Sequence, residues 1–132
     1  MMPVGGPKAM LLLIDDNRFN LRLTKFLLES EGFDVKPAES AEEGLHLLQQ
    51  FRFSLILVDI QLPGMSGMDF TRRVRATPEW SQVPIVALTA YAMRGDEERM
   101  LGCGCDGYLS KPIDTRTFCD TVRSYISAAV KA

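Results

Sequence analysis

The sequence predicts an open α/β domain: a five-stranded parallel sheet with helices on both faces. Three observations lead there. Short apolar runs alternate with amphipathic stretches five times, the mark of consecutive β-α units joined by right-handed crossovers. The chain has 132 residues, the size of one domain. Five such units are too few to close an eight-stranded barrel, so a doubly wound sheet remains.

The first strand is Met10 to Ile14, a continuous apolar run ending in Asp15 and Asp16, as expected of a strand buried on both faces. A helix follows from Arg18 to Ser30. Phe19, Leu23, Phe26 and Leu27 fall on one face of it, read here as the face that packs, and Gly32 ends it. Phe33 to Lys36 is a weak second strand. Ser40 opens the next helix, with Glu43 completing a capping-box pattern. Ala41, Leu45 and Leu48 share its apolar stripe, and His46 falls off it onto a solvated face.

The third strand, Ser54 to Val58, ends in Asp59. A Pro63-Gly64 turn and a helix over Gly67 to Ala76 come next. The fourth strand, Val83 to Leu88, ends in Thr89. Met93 to Gly102 reads as a poorly patterned helix, and Gly107 to Leu109 as a minimal fifth strand followed by Lys111. The last helix carries Phe118, Val122, Ile126 and Ala129 on one face, with Asp114 as its N-cap. Residues 1–8, with Pro3, Gly5, Gly6 and Pro7, read as a flexible tail. The domain is expected over 9–128, with a short tail over 129–132.

Composition narrows the function. Fifteen basic residues against seventeen acidic ones give a net charge of −2, which offers nucleic acid no basic footprint. The longest purely apolar run is five residues, far short of the ~20 needed to span a bilayer. Three cysteines imply no disulfide framework and suit reduced thiols in the cytoplasm.

In open α/β sheets, ligands bind beyond the carboxyl ends of the strands. There the sequence places Asp15, Asp16, Asp59, Thr89 and Lys111. Taken singly, each has a plain structural reading: Asp15-Asp16 as a helix cap, Asp59 as a turn residue, Thr89 as a strand residue and Lys111 as a surface charge. Together they describe a site. Clustered carboxylates need a counter-charge, and Mg²⁺ takes hard oxygen ligands of this kind. Lys111 adds a compact second cation and Thr89 a neutral donor, a set suited to phosphoryl transfer. An aspartate such as Asp59 is an ionised nucleophile at neutral pH without help from a base.

These residues resemble the receiver domain of two-component response regulators. The carriers are Asp15-Asp16, Asp59, the Pro63-Gly64 turn with Gly67, Thr89-Ala90 and Lys111-Pro112. They are spaced by 44 residues (15 to 59), 30 (59 to 89) and 22 (89 to 111). The resemblance covers about Met10 to Ala128. Asp59 to Pro63 and the run from Thr89 to Pro112 look most like DivK-type single-domain regulators, with receivers of hybrid histidine kinases as near neighbours.

The resemblance implies a CheY-like, flavodoxin-like fold with strand order 2-1-3-4-5. It implies that Asp59 accepts a phosphoryl group from a phosphohistidine on a histidine kinase or phosphotransfer protein. Asp16, Asp59 and the backbone carbonyl of Gln61 would hold Mg²⁺ (Mn²⁺ as a substitute), and Asp15 would act through water. Thr89, Ala90 and Lys111 would receive the phosphoryl group. Thr89 and Tyr108 would form the switch, while Gln61 and Tyr91 would set the phosphoryl lifetime. Lys111-Pro112 would be a cis peptide. The donor would dock on Asn17, Arg18 and Phe19 and on Pro112 and Ile113. Output would use the face made by the helix over 93–102, the fifth strand and the last helix. The expectation is a monomeric cytoplasmic signalling protein, not an enzyme beyond slow self-dephosphorylation, with no DNA-binding output domain after it.

Other readings fare worse. Gly102 to Gly107 spells G-x-G-x-x-G, but it follows a helix and leads into a strand, the reverse of a dinucleotide site. Cys103 and Cys105 lack a second ligand pair for zinc. A haloacid-dehalogenase-type phosphatase would need an aspartate where Gln61 stands. A receiver excised from a hybrid kinase, a phosphorylation-independent binding module and a flavin protein complete the alternatives. The intact acidic set argues against decay of the site.

Overall fold

The computed structural model describes residues 9–89, 98, 102–110 and 114–131, with side chains as far as residue 128. The elements are β1 (Met10–Ile14), α1 (Arg18–Ser30), β2 (Asp34–Ala38), α2 (Ala41–Leu48), β3 (Leu55–Asp59), α3 (Gly67–Ala76), a 3-10 turn (Pro78–Trp80), β4 (Ile85–Thr89), β5 (Gly107–Ser110) and α4 (Phe118–Lys131). All strand pairs are parallel, in the order β2-β1-β3-β4-β5. β1, β3 and β4 occupy the interior of the sheet, which is why their sequences are unbroken apolar runs rather than alternating ones.

Successive side chains on these strands feed two separate cores. Leu12, Ile14, Ile56, Val58, Ile85 and Ala87 pack beneath Ala41, Leu48, Phe70 and Val74 of α2 and α3. Leu11, Leu13, Leu55, Leu57, Val86 and Leu88 pack against Leu21 and Leu28 of α1 and Phe118, Cys119 and Val122 of α4. Each fully buried Leu or Ile contributes about 1.5–3 kcal/mol, so these strands anchor the fold. No helix among the described residues is long and apolar enough to cross a membrane.

Several elements depart from the sequence reading. On α1, Leu21, Thr24 and Leu28 face the sheet, while Phe19, Leu23 and Phe26 point to solvent at 74%, 45% and 68% exposure. Both stripes have helical spacing, and the polar Thr24 disguises the buried one. β2 runs from Asp34 to Ala38 rather than from Phe33. Phe33 instead sits in the core under α1 and donates its backbone N–H to Leu28 O. β4 begins at Ile85, because Pro84 has no N–H for the ladder and offers only its carbonyl, to Ile56 N.

The Ser40 cap is half of the expected box. Ser40 Oγ accepts from Glu43 N at 3.1 Å, and the Glu43 carboxylate turns to Glu39 N instead. Ahead of the last helix, Asp114 accepts Phe118 N on its carbonyl and Arg116 N on Oδ1, so it opens the turn that leads into the helix and lies four residues before the helix's first residue. α4 then continues to Lys131, through residues assigned to a tail. Most of the helix expected over 93–102 lies outside the described residues.

Candidate functional site

Parallel pairing brings residues 44 positions apart to one edge of the sheet. Ile14 pairs with Val58, so the residues after them, Asp15 and Asp59, meet side by side. One carboxylate oxygen each from Asp15, Asp16 and Asp59 lies within 4.8 Å of the other two. Asp15 and Asp59 are buried, 2% and 6% exposed, whereas Asp16 opens to solvent. Two buried charges this close repel by roughly 3 kcal/mol at an effective dielectric of ~20. The backbone shapes the rest. Asp15 Oδ1 accepts from Asn17 N and Asp59 Oδ1 from Gln61 N, both at 2.9 Å. These turns fix one oxygen of each carboxylate and redirect the chain away from its strand. Asn17 then caps α1 by accepting Asn20 N at 3.0 Å.

Gly67 explains how α3 starts against this edge. A Cβ there would lie 2.4 Å from the Asp59 carbonyl oxygen and 2.8 Å from Ile60 Cα, so no other residue fits without displacing the strand end. Gly67 N donates to Ile60 O, closing the loop that carries Gln61 to Ser66. The sequence marks Gly67 as part of a motif but does not reveal this contact.

Thr89 is buried at the end of β4, and Leu88 pairs with Asp59 in the neighbouring strand. Tyr108 is half-buried on β5, opposite Ala87, and packs against the core beneath α2 and α3. Arg18 and Phe19 are exposed on the first turn of α1, with the Arg18 guanidinium held by Glu39 at 2.9 Å. Gln61 is exposed. Ala90, Tyr91, Lys111, Pro112 and Ile113 lie outside the described residues. The exposed apolar stripe that Leu23 and Phe26 add to Phe19 was missed as a surface. Its signal was an excess of apolar positions on α1, more than one buried face uses.

The donors of the acidic cluster are all hard oxygens, with a strand-end backbone carbonyl nearby in sequence. That set fits an oxygen-seeking divalent cation and not a thiophilic one. Among the described residues, no such group of possible metal ligands includes a cysteine or histidine.

An open α/β sheet with buried acids crowded at the carboxyl edge defines a class, doubly wound domains with an acidic strand-end site. Comparison with known proteins narrows it. Residues 11–123 match the response regulator receiver domain. The chain is 39% identical over 123 residues to the polar-differentiation response regulator DivK of Brucella anthropi, covering 93% of this chain and 99% of that protein. Chemotaxis response regulator CheY4 of Vibrio cholerae superposes with a TM-score of 0.85 at 27% identity, over 90% of this chain and 99% of the other. The receiver domain of sensor histidine kinase PA1611 from Pseudomonas aeruginosa, solved with a magnesium ion in its active-site cleft, superposes with a TM-score of 0.84. It is 31% identical and covers 92% and 99% of the two chains. The chain belongs to the response regulator receiver family, and is a signalling domain of the DivK-like, CheY-like type.

Proposed function

We propose that Asp59 is the phosphoacceptor of a two-component phosphorelay. The observation that carries this reading is the gathering of Asp15, Asp16 and Asp59 at one strand edge. In the reaction, an Asp59 carboxylate oxygen forms a bond to phosphorus, the P–N bond of a phosphohistidine breaks, and the imidazole leaves with the bonding pair and takes up a proton. Asp16, Asp59 and the Gln61 carbonyl would hold Mg²⁺, or Mn²⁺ in its place, with Asp15 acting through water. When bound, the cation supplies charge neutralisation for the transferred group.

Thr89 offers its hydroxyl to the phosphoryl oxygens, Ala90 leaves them room and Lys111 pairs with them. Thr89 and Tyr108 form the switch, because a new dianionic group biases a pre-existing equilibrium between conformations. Gln61 and Tyr91 flank the group and set its lifetime, and self-dephosphorylation is the only turnover. Asn17, Arg18 and Phe19, with Pro112 and Ile113, receive the donor protein. Support for that docking comes from the exposed Phe19 on the turn just after Asp15 and Asp16. Output passes through β5, the residues over 93–102 and α4 to a protein partner. The unit runs from residue 9 through the end of α4 at Lys131, and is monomeric and cytoplasmic.

The test is intact-mass spectrometry after incubation with acetyl phosphate and Mg²⁺. One phosphoryl adduct, absent in Asp59→Asn and absent without the metal, is expected. An adduct that persists in Asp59→Asn would overturn the assignment.

A further inference from the structure

A groove of about 290 Å³ runs between α1 and the edge strand β2, lined by Arg18, Leu21, Arg22, Lys25, Pro37 and Glu39. Its floor is apolar. Leu21 belongs to the core beneath α1, and Pro37 lies on the edge strand, where a residue without an N–H discourages a further strand from pairing. An occupant is therefore held by side chains. The wall on the helix side is cationic. Arg18, Arg22 and Lys25 stand at i, i+4 and i+7, so they form one lane along α1. The fold itself shows what this lane takes. Arg18 Nε holds the Glu39 carboxylate at 2.9 Å, and Lys25 Nζ holds the Glu29 carboxylate at 3.0 Å. Both pairs are exposed, and exposed pairs are weak, so an incoming carboxylate displaces them at small cost. Arg22 adds a third positive charge, in a chain whose net charge is −2. Phe26, one helical turn beyond Arg22 and 68% exposed, extends the apolar contact outward.

We propose that this groove is a third interaction surface, one that receives an acidic segment of a protein partner. One apolar side chain of that segment seats on Leu21 and Pro37, and flanking carboxylates pair with Arg18, Arg22 and Lys25. The anchor supplies affinity, and the charges supply orientation and speed of encounter. The size of the groove agrees, since about 290 Å³ falls just under the ~300–1,000 Å³ of small-molecule sites and suits a side-chain anchor. The groove also stands apart from the surfaces assigned above. β2 and β5 are opposite edges of the sheet, with β1, β3 and β4 between them. The donor surface meets the groove only at Arg18. A partner seated on the β2 edge thus leaves the β5 edge open for output.

The test follows backbone amide NMR shifts of the whole chain as the peptide Asp-Glu-Asp-Leu-Asp-Glu-Asp is added. Shifts are expected to gather on Leu21 to Lys25 and on Ala38 and Glu39, saturating with a Kd of about 0.1–1 mM. Arg22→Glu and Lys25→Glu should each weaken binding about tenfold, and the milder Arg22→Gln about threefold, with acetyl phosphate labelling of Asp59 unchanged. Glu39→Gln should tighten binding about threefold, because it removes the resident carboxylate that competes for Arg18. Replacing the leucine of the peptide by serine should weaken binding about tenfold. The proposal is overturned if no shifts appear by about 5 mM peptide, or if they gather elsewhere on the molecule. It is also overturned if a peptide with Asn and Gln in place of the acids binds as tightly. Capture of the protein by phosphatidylserine vesicles, without binding of the peptide, would overturn it in favour of a membrane surface.

Discussion

The two ends of the sheet treat charge in opposite ways. At the carboxyl edge, Asp15, Asp16 and Asp59 are crowded together, two of them buried. At the amino edge, Arg75 reaches from α3 to Gly104 O, Ser81 O, Val83 O and Asp106 Oδ2 at 2.6–3.1 Å, and the same Asp106 oxygen accepts Ile85 N at 2.8 Å. One guanidinium thus ties α3 to the starts of β4 and β5 through four hydrogen bonds. The amino edge holds the architecture through a guanidinium and its acceptors, while the carboxyl edge holds three carboxylates within 4.8 Å of one another. Stability and chemistry are separated by the length of a strand, so the two should respond differently to mutation.

The largest effect expected is at the acidic edge. Asp59→Asn should abolish the phosphoryl adduct, and Mg²⁺ should raise the melting temperature of the variant far less than that of the parent. An equal rise in both would contradict the comparison. Arg75→Ala should do the reverse, with a loss of about 2–4 kcal/mol in urea unfolding, because it strands part-buried carbonyls and Asp106. Its Mg²⁺ affinity, followed by titration calorimetry, should stay within about twofold of the parent once the protein is folded.

Gly67→Ala sharpens the contrast, since it strikes stability and site together. The clash with the Asp59 carbonyl should cost roughly 1–3 kcal/mol and weaken Mg²⁺ binding in the same variant. Phe19→Ala should sit at the small end for stability, within about 0.5 kcal/mol, because the ring is exposed. Its cost should appear instead as slower phosphoryl transfer from a protein donor, with acetyl phosphate labelling unchanged. Last, Cys105 is protonated in the fold up to about 12, against an ordinary value of 9.0. The unfolded chain loses that proton first, so stability is fully present below about 9 and falls as pH rises toward 12. Cys105→Ala should flatten that slope in pH-dependent denaturation.

The central strands were readable because burial on both faces leaves an unmistakable apolar run, as in Leu11 to Ile14 and Leu55 to Val58. The acidic triad was readable because strand-end positions follow from the strands themselves. The face of α1 was not. Phe19, Leu23 and Phe26 keep the same period as Leu21, Thr24 and Leu28, and periodicity alone does not say which stripe packs. β2 starts one residue and ends two residues later than expected because, as an edge strand carrying Lys36 and Pro37, it has little apolar signal. The Arg75 clasp was invisible for another reason. Most of its partners are backbone carbonyls, which every residue carries, so no side-chain pattern announces them.

The register that sets Ile14 beside Val58 has a consequence for how the protein matures. The three carboxylates share a site only after β1 and β3 have paired across a sequence separation of 44 residues. Such non-local pairing is a slow event, because loop closure must precede its reward. A partly folded chain therefore has aspartates but no cation site. Divalent-ion affinity should be a faithful reporter of the finished sheet, and the ion should draw the folding equilibrium toward completion by mass action.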